Sequence, residues 1–598
     1  MIALLSIMAV FQLTSIRGEV QTIDEGVHLA AGVSYWQTGD YRLNEEHPPL
    51  VKLLAALPVI LSKPKLDFTS ASWQEGNQWA FAREMLYQRG NDADRLLFLG
   101  RLPMVGLCLL LGFMLYLWGR RLGGDLAGIL ALGWFSFDPN FLAHGRYITT
   151  DVPIALGYAA TLYLLLRVLE KWSWQRLAVF AAVFGLTQVT KFSALFLYAI
   201  LLLAPVLWYY KSASVKIILQ RTAALLGVGI LGTALAVLVV YGGQVKRGSD
   251  DPWVQALYQE RLRVIAEQRQ NQQPQAIQRI ISLTDPAHRT GKVVQQLVME
   301  TLIPGWSYFK GIALVLNHDF WGHLAYLNGQ HSNFGWWWYF PFAGLVKTPL
   351  ATLIMFSLAI VALAKTGRQA PILHQRSIYL LAGTCLLYLL WSMTSNLNLG
   401  LRHVFPVYAI IFALIGVFLA NVLQTGKHWL MLTSIGISAL YITSSVLAYP
   451  TYTGYFSEVI GGSANGPKYL VDSNVDRGQD AKRLITYLRA RNIPYVCMSY
   501  FGQASLDYYG LDNRYLPTET DPHDTEAIQC VVAISVYQSP LARPGIRLAT
   551  RLRAGCQDRR IDIRLRFSSR PFPRPRSRTI SLTQPAVFSI ICIPCKIE

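Results

Sequence analysis

Charge is what this sequence has least of. Only 15% of its 598 residues are Asp, Glu, Lys or Arg, against about 25% in ordinary soluble proteins, and that shortage argues against a soluble globular chain. Acidic residues are the scarcer sign, 35 against 54 Lys plus Arg. The net charge of +19 does not read as a nucleic-acid surface, because 53% of the chain is hydrophobic and the excess is unevenly placed. From Leu541 to Glu598 there are 13 basic and 3 acidic residues. Cysteine is sparse and scattered, seven in all. Cys592 and Cys595 form a C-x-x-C without a second pair, which reads as a chance pair and not a zinc or redox framework. Internally repeated halves, expected of many transporters, are missing too.

What is present is a series of apolar runs: 1–16, 99–118, 125–137, 153–169, 177–190, 193–210, 221–241, 344–364, 377–393, 404–423 and 429–448. Runs near 20 residues predict membrane spans, so the expected fold is a polytopic α-helical membrane protein with about 11 transmembrane helices. The first run lacks a basic leading segment and a small-residue cleavage site, so a membrane helix is preferred to a signal peptide. "GRRLGG", "EKWSWQR", "KSASVK", "KTGRQAPILHQR" and "QTGKH" are short basic loops between successive runs, and the positive-inside rule places all five in the cytoplasm. The N-terminus is then cytoplasmic. The segments 17–98, 138–152, 242–343 and 394–403, the turn at Lys191 and everything after Tyr449 face outward.

The domains predicted are a membrane unit over 1–449, an external α/β domain over 450–546, and a basic, Pro- and Arg-rich tail over 547–598 with no period suited to packing. In the α/β domain "GQDAKRLITYLRARN" reads as a helix, "IPYVCMSYFG" and "CVVAISVY" as strands. Helices lying along the interface are expected in the first outward loop, where Val27, Leu29, Val33, Trp36, Leu50, Leu53, Leu54 and Leu57 recur at helical spacing and "HPPL" suits a helix start.

That loop also gathers Asp24, Glu25, His28, Asp40, Glu45, Glu46 and His47. A carboxylate at a membrane boundary is able to act as general base on a hydroxyl. Glu or His nearby is able to hold a divalent metal, and Arg or Lys a phosphate. Asp24 and Glu25 diverge by about 100° on a helix, so one serves chemistry while the other holds the loop. Interfacial solvation of these charges is the competing reading, and chemistry alone leaves both open.

The stretch "DEGVHLAAGVSYWQTGDYRLNEEHPPLVKLLAALP" resembles the first external loop of the protein O-mannosyltransferases and their bacterial relatives. These are polytopic transferases of the GT-C superfamily that use polyprenyl-phosphate sugars; the lipid A aminoarabinose transferases are other relatives. The resemblance continues in order through "RYITTDVPIALG", "GQHSNFGWWWYFPFAGLVKTPL", "LRHVFPVYA" and "YFSEVIGGSANGPKYLVDSNVDRGQDAKRL". It implies a glycosyltransferase of the bacterial plasma membrane, with Asp24 as catalytic base and Glu25 as its partner in the Asp-Glu motif. Asp151 matches the acidic residue of the second outward loop, though it also suits a helix N-cap. Arg146, Lys191, Lys347, Arg402 and His403 are outward-face cations available to a lipid phosphate, each with a snorkelling anchor or loop charge as the competing reading. Glu46 falls at a metal-ligand position of the aminoarabinose transferases, where a Lys follows; here His47 follows and takes the place of a phosphate contact. Among His318, His323 and His331, one is a candidate metal nitrogen, with His323 chosen. Arg477 stands where the family usually has Trp. The implied partners are a polyprenyl-phosphate sugar donor, a hydroxyl acceptor on protein, lipid or glycan, and membrane lipids, with no nucleic acid. The competing functions are a lipid-linked sugar transporter or flippase, and a non-catalytic envelope assembly protein.

Overall fold

The computed structural model describes residues 1–210, 212–270, 292–293, 295–366, 372–515, 531–536 and 588–591. The protein is mostly helical and membrane-spanning. Each of the eleven apolar runs falls on helix. Among the described residues, six helices are long and apolar enough to cross a membrane, or seven if the bent pair Tyr339–Lys347 and Leu350–Leu363 is one span. Eleven crossings remain an expectation.

One of the six, Ala93–Ser136, breaks at Gly124 (φ +83°), a left-handed conformation glycine takes without a Cβ clash. Its arms fold back on each other. A Cβ on Gly119 would lie 2.6 Å from the Ala127 carbonyl, and one on Gly128 2.6 Å from that of Tyr116. Small residues thus let two backbones touch, as membrane helix pairs require. The runs 99–118 and 125–137 are therefore separate arms. Helix Phe405–Gln424, buried nearly all round, packs against both arms and against Asp151–Glu170. Gly416 sits on the Ala127 backbone, and the Phe141 and Phe405 rings stack at 4.3 Å.

The segment 17–98 carries helices Glu25–Thr38 and Leu50–Leu61, as its apolar spacing predicts. The first ends at Gly39 (φ +68°), whose N–H returns to the Tyr35 carbonyl. Lys52 Nζ then ties down the turn between the helices, donating to the carbonyls of Asn44 (2.6 Å) and His47 (2.7 Å).

After residue 449 a parallel pair of strands flanks Tyr495–Ser499, with Asp512–Tyr515 on one side and Val531–Ser535 on the other. Helix Ala481–Arg489 buries Leu484, Ile485 and Leu488 in the same apolar cluster as Val496 and Met498. Four residues of the expected tail, Phe588–Ile591, depart from expectation by pairing antiparallel with Val531–Ser535. The rest of the tail, with Cys592 and Cys595, lies outside the described residues.

This α/β unit rests on the first loop. Lys482 pairs with Asp94 at 2.7 Å, Tyr509 donates to Asp94 at 2.9 Å, and the Tyr87 and Tyr508 rings meet at 5.2 Å. Two basic loops meet elsewhere through the Arg121–Glu170 ion pair, and Arg221 of helix Val215–Val240 lies over the Trp172 ring of the second.

Candidate active site

Asp24 occupies the N-cap position of helix Glu25–Thr38, yet its carboxylate makes no capping bond. Glu25 takes that local duty: its Oε2 accepts the Thr22 N–H at 2.8 Å. Neighbouring side chains point apart on a helix, and the two carboxylates part accordingly. Glu25 turns inward to Arg101, accepting from Nη2 at 2.6 Å and Nε at 2.8 Å, and takes the Ile148 N–H at 3.1 Å. Fully buried, with both oxygens occupied, it holds the loop to helix Ala93–Ser136. Its share in catalysis stays an expectation beside this structural role.

Asp24 turns the other way and stays 30% exposed. Its Oδ2 accepts from Arg477 Nη2 and, at 3.5 Å, faces Arg402 Nη1. Arg402 Nη1 also lies 3.2 Å from Asp151 Oδ2, and Asp151 Oδ1 accepts from Lys191 Nζ at 2.6 Å. Three cations thus face the Asp24 and Asp151 carboxylates, and the buried Asp472 carboxyl also faces Arg402 and Arg477. Thr150, not Asp151, holds the N-cap position of the following helix, so the expected capping role of Asp151 gives way to these ion pairs.

Burial by itself would raise the Asp24 carboxyl, but Arg477 and then Arg402 outweigh it and hold the group well below the usual carboxylate range. His28 Nδ1–H donates to the Ile148 carbonyl (2.7 Å), and the ring meets that of His47 edge-on at 5.3 Å. Burial pushes His28 down to about 4 and His47 well below its usual value, so both imidazoles are neutral near pH 7.

Among the described residues, Arg402 Nε, Arg477 Nε and Arg477 Nη1 are buried without a hydrogen-bond partner, as is the His403 ring nitrogen Nε2. Beside them opens an apolar groove of about 840 Å³, lined among others by Phe340, Leu345, Phe356, Leu386 and Leu414. Leu401 and Val404, which bracket Arg402 and His403, line it too. From Val404 to Leu414 it follows the helix for about 15 Å.

Two expected phosphate groups lie elsewhere in the fold. Arg146 is fully buried on Glu19 (2.6 Å), with Nη1 on Ser15 Oγ (2.7 Å). Lys347 Nζ donates to the carbonyls of Thr453, Tyr455 and Asn474 at 3.0, 2.6 and 2.7 Å. An ammonium has three donors, and here all three are used. Both residues thus spend these donors on protein partners that tie distant segments together, and their phosphate role stays an expectation.

The expected divalent cation finds no ligand set: among the described residues no group of three or more His, Cys, Asp or Glu could hold a metal ion. Glu46 and His323 belong to none, and His323 Nδ1 lies 3.3 Å from His318 Nε2. Glu45 is bound to Lys310 (2.5 Å), which also holds Asp251 (2.8 Å). Arg101, Lys52, Lys310 and the contact between Arg477 and Asp24 were missed. The one signal for the last was a charged residue at 477 where the resembled family has Trp.

No curated protein matches the chain. Among solved structures, the chain is similar to ArnT from Cupriavidus metallidurans in the apo state, at 14% identity and a TM-score of 0.42, covering 75% of this chain and 65% of that one. It is similar to the same protein bound to undecaprenyl phosphate, at 12% identity and a TM-score of 0.46, covering 90% and 94%. The protein O-mannosyltransferase Pmt1-Pmt2 complex of S. cerevisiae, bound to its sugar donor, is similar at 22% identity and a TM-score of 0.31, covering 40% and 33%. This chain therefore spans just under two thirds of the apo ArnT structure and a third of the yeast chain. Residues 96–241, which supply Arg101, Asp151 and Lys191, match the family model described as dolichyl-phosphate-mannose-protein mannosyltransferase.

Proposed function

We propose that this protein transfers a sugar from a polyprenyl-phosphate donor to a hydroxyl acceptor at the outer boundary of a bacterial plasma membrane. The observation that carries the reading is the set of buried N–H groups on Arg402 and Arg477 that have no partner among the described residues, on side chains that face Asp24, with Arg402 set between the groove-lining residues Leu401 and Val404. Buried polar groups are normally paired, and guanidinium donors suit a phosphodiester. The family description over residues 96–241 agrees with this chemistry.

In this reading the polyprenyl chain lies in the groove and the phosphate against Arg402, Arg477 and Lys191. Asp24 accepts a hydrogen bond from the acceptor hydroxyl and takes its proton as that oxygen attacks the anomeric carbon. The bond from that carbon to the phosphate oxygen breaks, and polyprenyl phosphate leaves with inversion. The cations stabilise the charge gathering on the leaving oxygen, so no general acid is required. A carboxylate ionised at every working pH is always ready, and a weak one takes the proton late.

Mass spectrometry of lipids and envelope glycans from cells with and without the gene tests the reading. Loss of the gene is expected to raise a polyprenyl-phosphate sugar and to remove one glycosylated product. Unchanged pools of both would contradict it.

A further inference from the structure

Arg477 has the least complete bonding in the cluster. Its side chain is 1% exposed; among the described residues only Nη2 reaches an acceptor, Asp24 Oδ2, and Nε and Nη1 are buried without partners. A buried donor left unpaired bears its full desolvation cost, so two on one guanidinium favour binding of an anion that can use them. Arg402 repeats the pattern, with Nη1 3.5 Å from the same Asp24 oxygen and Nε unpartnered.

The backbone that carries Arg477 is fixed. The Arg477 carbonyl accepts the Ile23 N–H at 2.8 Å, and the Gln479 carbonyl that of Val20 at 2.9 Å, so the segment is bound to the strand-like approach to Asp24. The Arg477 N–H donates to Gln479 Oε1 at 2.8 Å. Gly478 follows at φ +84°, where a Cβ would lie 2.6 Å from Gly502 Cα and 2.7 Å from the Phe501 carbonyl. A rigid mount with a long side chain leaves the guanidinium as the part free to re-aim.

We propose that Arg477 is shared between two anions: it rests on Asp24 while the phosphate position is empty and turns to the donor phosphate when that position fills. Oδ2 of Asp24 is thereby released for the acceptor hydroxyl. This rests on the sugar-transfer reading of the site. Arg477 then acts as a positioning residue that makes Asp24 a stronger base only after the donor has bound, and it imposes donor-first order. The groups facing Asp24 are Arg477 from the 472–480 segment, Arg402 from the start of its helix, His28 from its own helix and His47 from the following turn.

The test is binding of undecaprenyl phosphate to the full chain in nanodiscs, for wild type, Asp24→Asn, Arg477→Gln and Arg477→Lys, with thermal melting as the folding control. Asp24→Asn keeps the shape of the site but frees Arg477, so binding is expected to tighten about tenfold, the worth of one charge-assisted hydrogen bond. Arg477→Gln is expected to weaken binding by a similar factor, with partial recovery in Arg477→Lys. In Arg477→Gln the acid fall of kcat/KM is also expected to begin at a higher pH, because Asp24 loses its nearest cation. If Arg477→Gln does not fold, the Asp24→Asn arm decides by itself. Wild type that binds undecaprenyl phosphate while Asp24→Asn binds no tighter overturns the sharing alone. Wild type that does not bind it overturns the sharing and the site reading together.

Discussion

Arg402 Nη1 lies 3.2 Å from Asp151 Oδ2, joining the start of one membrane helix to the start of another 251 residues earlier. Asp151 is 3% exposed and also holds Lys191, so its single carboxylate stabilises two cations. Asp151→Asn is expected to lower stability by about 3–5 kcal/mol, the usual cost of removing one partner from a buried pair. The folded fraction is expected to keep its affinity for undecaprenyl phosphate, because the remaining charge is more positive. Melting temperature and lipid binding, measured side by side in detergent, check both halves.

Glu25 gives the contrasting case. Its contacts with Arg101, Thr22 and Ile148 hold the loop, so Glu25→Gln is expected to cost about 3–5 kcal/mol of stability while turnover per folded molecule stays near wild type. Turnover normalised to the folded fraction separates this from a catalytic loss. A fall of a hundredfold or more at normal stability would return Glu25 to the chemistry.

Asp476 predicts a pH dependence of stability. Burial raises its carboxyl to about 7, against the pull of hydrogen bonds from Ser535 and the Gly478 N–H. An unfolded carboxyl ionises near 4, so the folded state retains a proton that the unfolded state releases. This contribution is complete below about 4 and is lost as pH rises towards 7. His28 works in the opposite sense over the same interval, since it stays neutral down to about 4 when folded and protonates below about 6.5 when unfolded. Asp476→Asn leaves His28 untouched. Its melting temperature is therefore expected to gain on wild type from pH 5 to about pH 7 and then level off, and a constant difference would show that Asp476 is ionised in the fold.

The contacts of Asp94 with Lys482 and Tyr509 require the first loop and the α/β unit to share one side of the membrane. The basic loops joined through Arg121 and Glu170 are expected on the other. In Lys171→Cys and Tyr508→Cys variants, an impermeant thiol reagent added to whole cells is expected to label position 508 and not 171. The reverse pattern would put every proposed site residue on the cytoplasmic side.

Helices were legible in this sequence because apolar run length and period report directly on burial, as at 405–424, and Ala481–Arg489 showed its face through Leu484, Ile485 and Leu488. The divergence of Asp24 from Glu25 followed from helix geometry alone. Arg101, Arg146 and Lys347 were illegible for a common reason: a cation beside an apolar run looks the same whether it anchors at the interface or folds inward. Partners such as Glu25 for Arg101, 76 residues away, decide which. The contact of Arg477 with Asp24 spans 453 residues, and only the closed fold reveals it.

The claim that Asp24 is the base is tested most directly by turnover of Asp24→Asn with a verified donor and acceptor. The substitution keeps size and hydrogen bonding but cannot take a proton. General-base catalysis contributes about 10²–10⁴-fold, so turnover per folded molecule is expected to fall by that order while undecaprenyl phosphate still binds, with some loss of melting temperature from the broken Arg477 pair. Near-normal turnover in well-folded Asp24→Asn would contradict the assignment and return the acidic cluster to interfacial solvation.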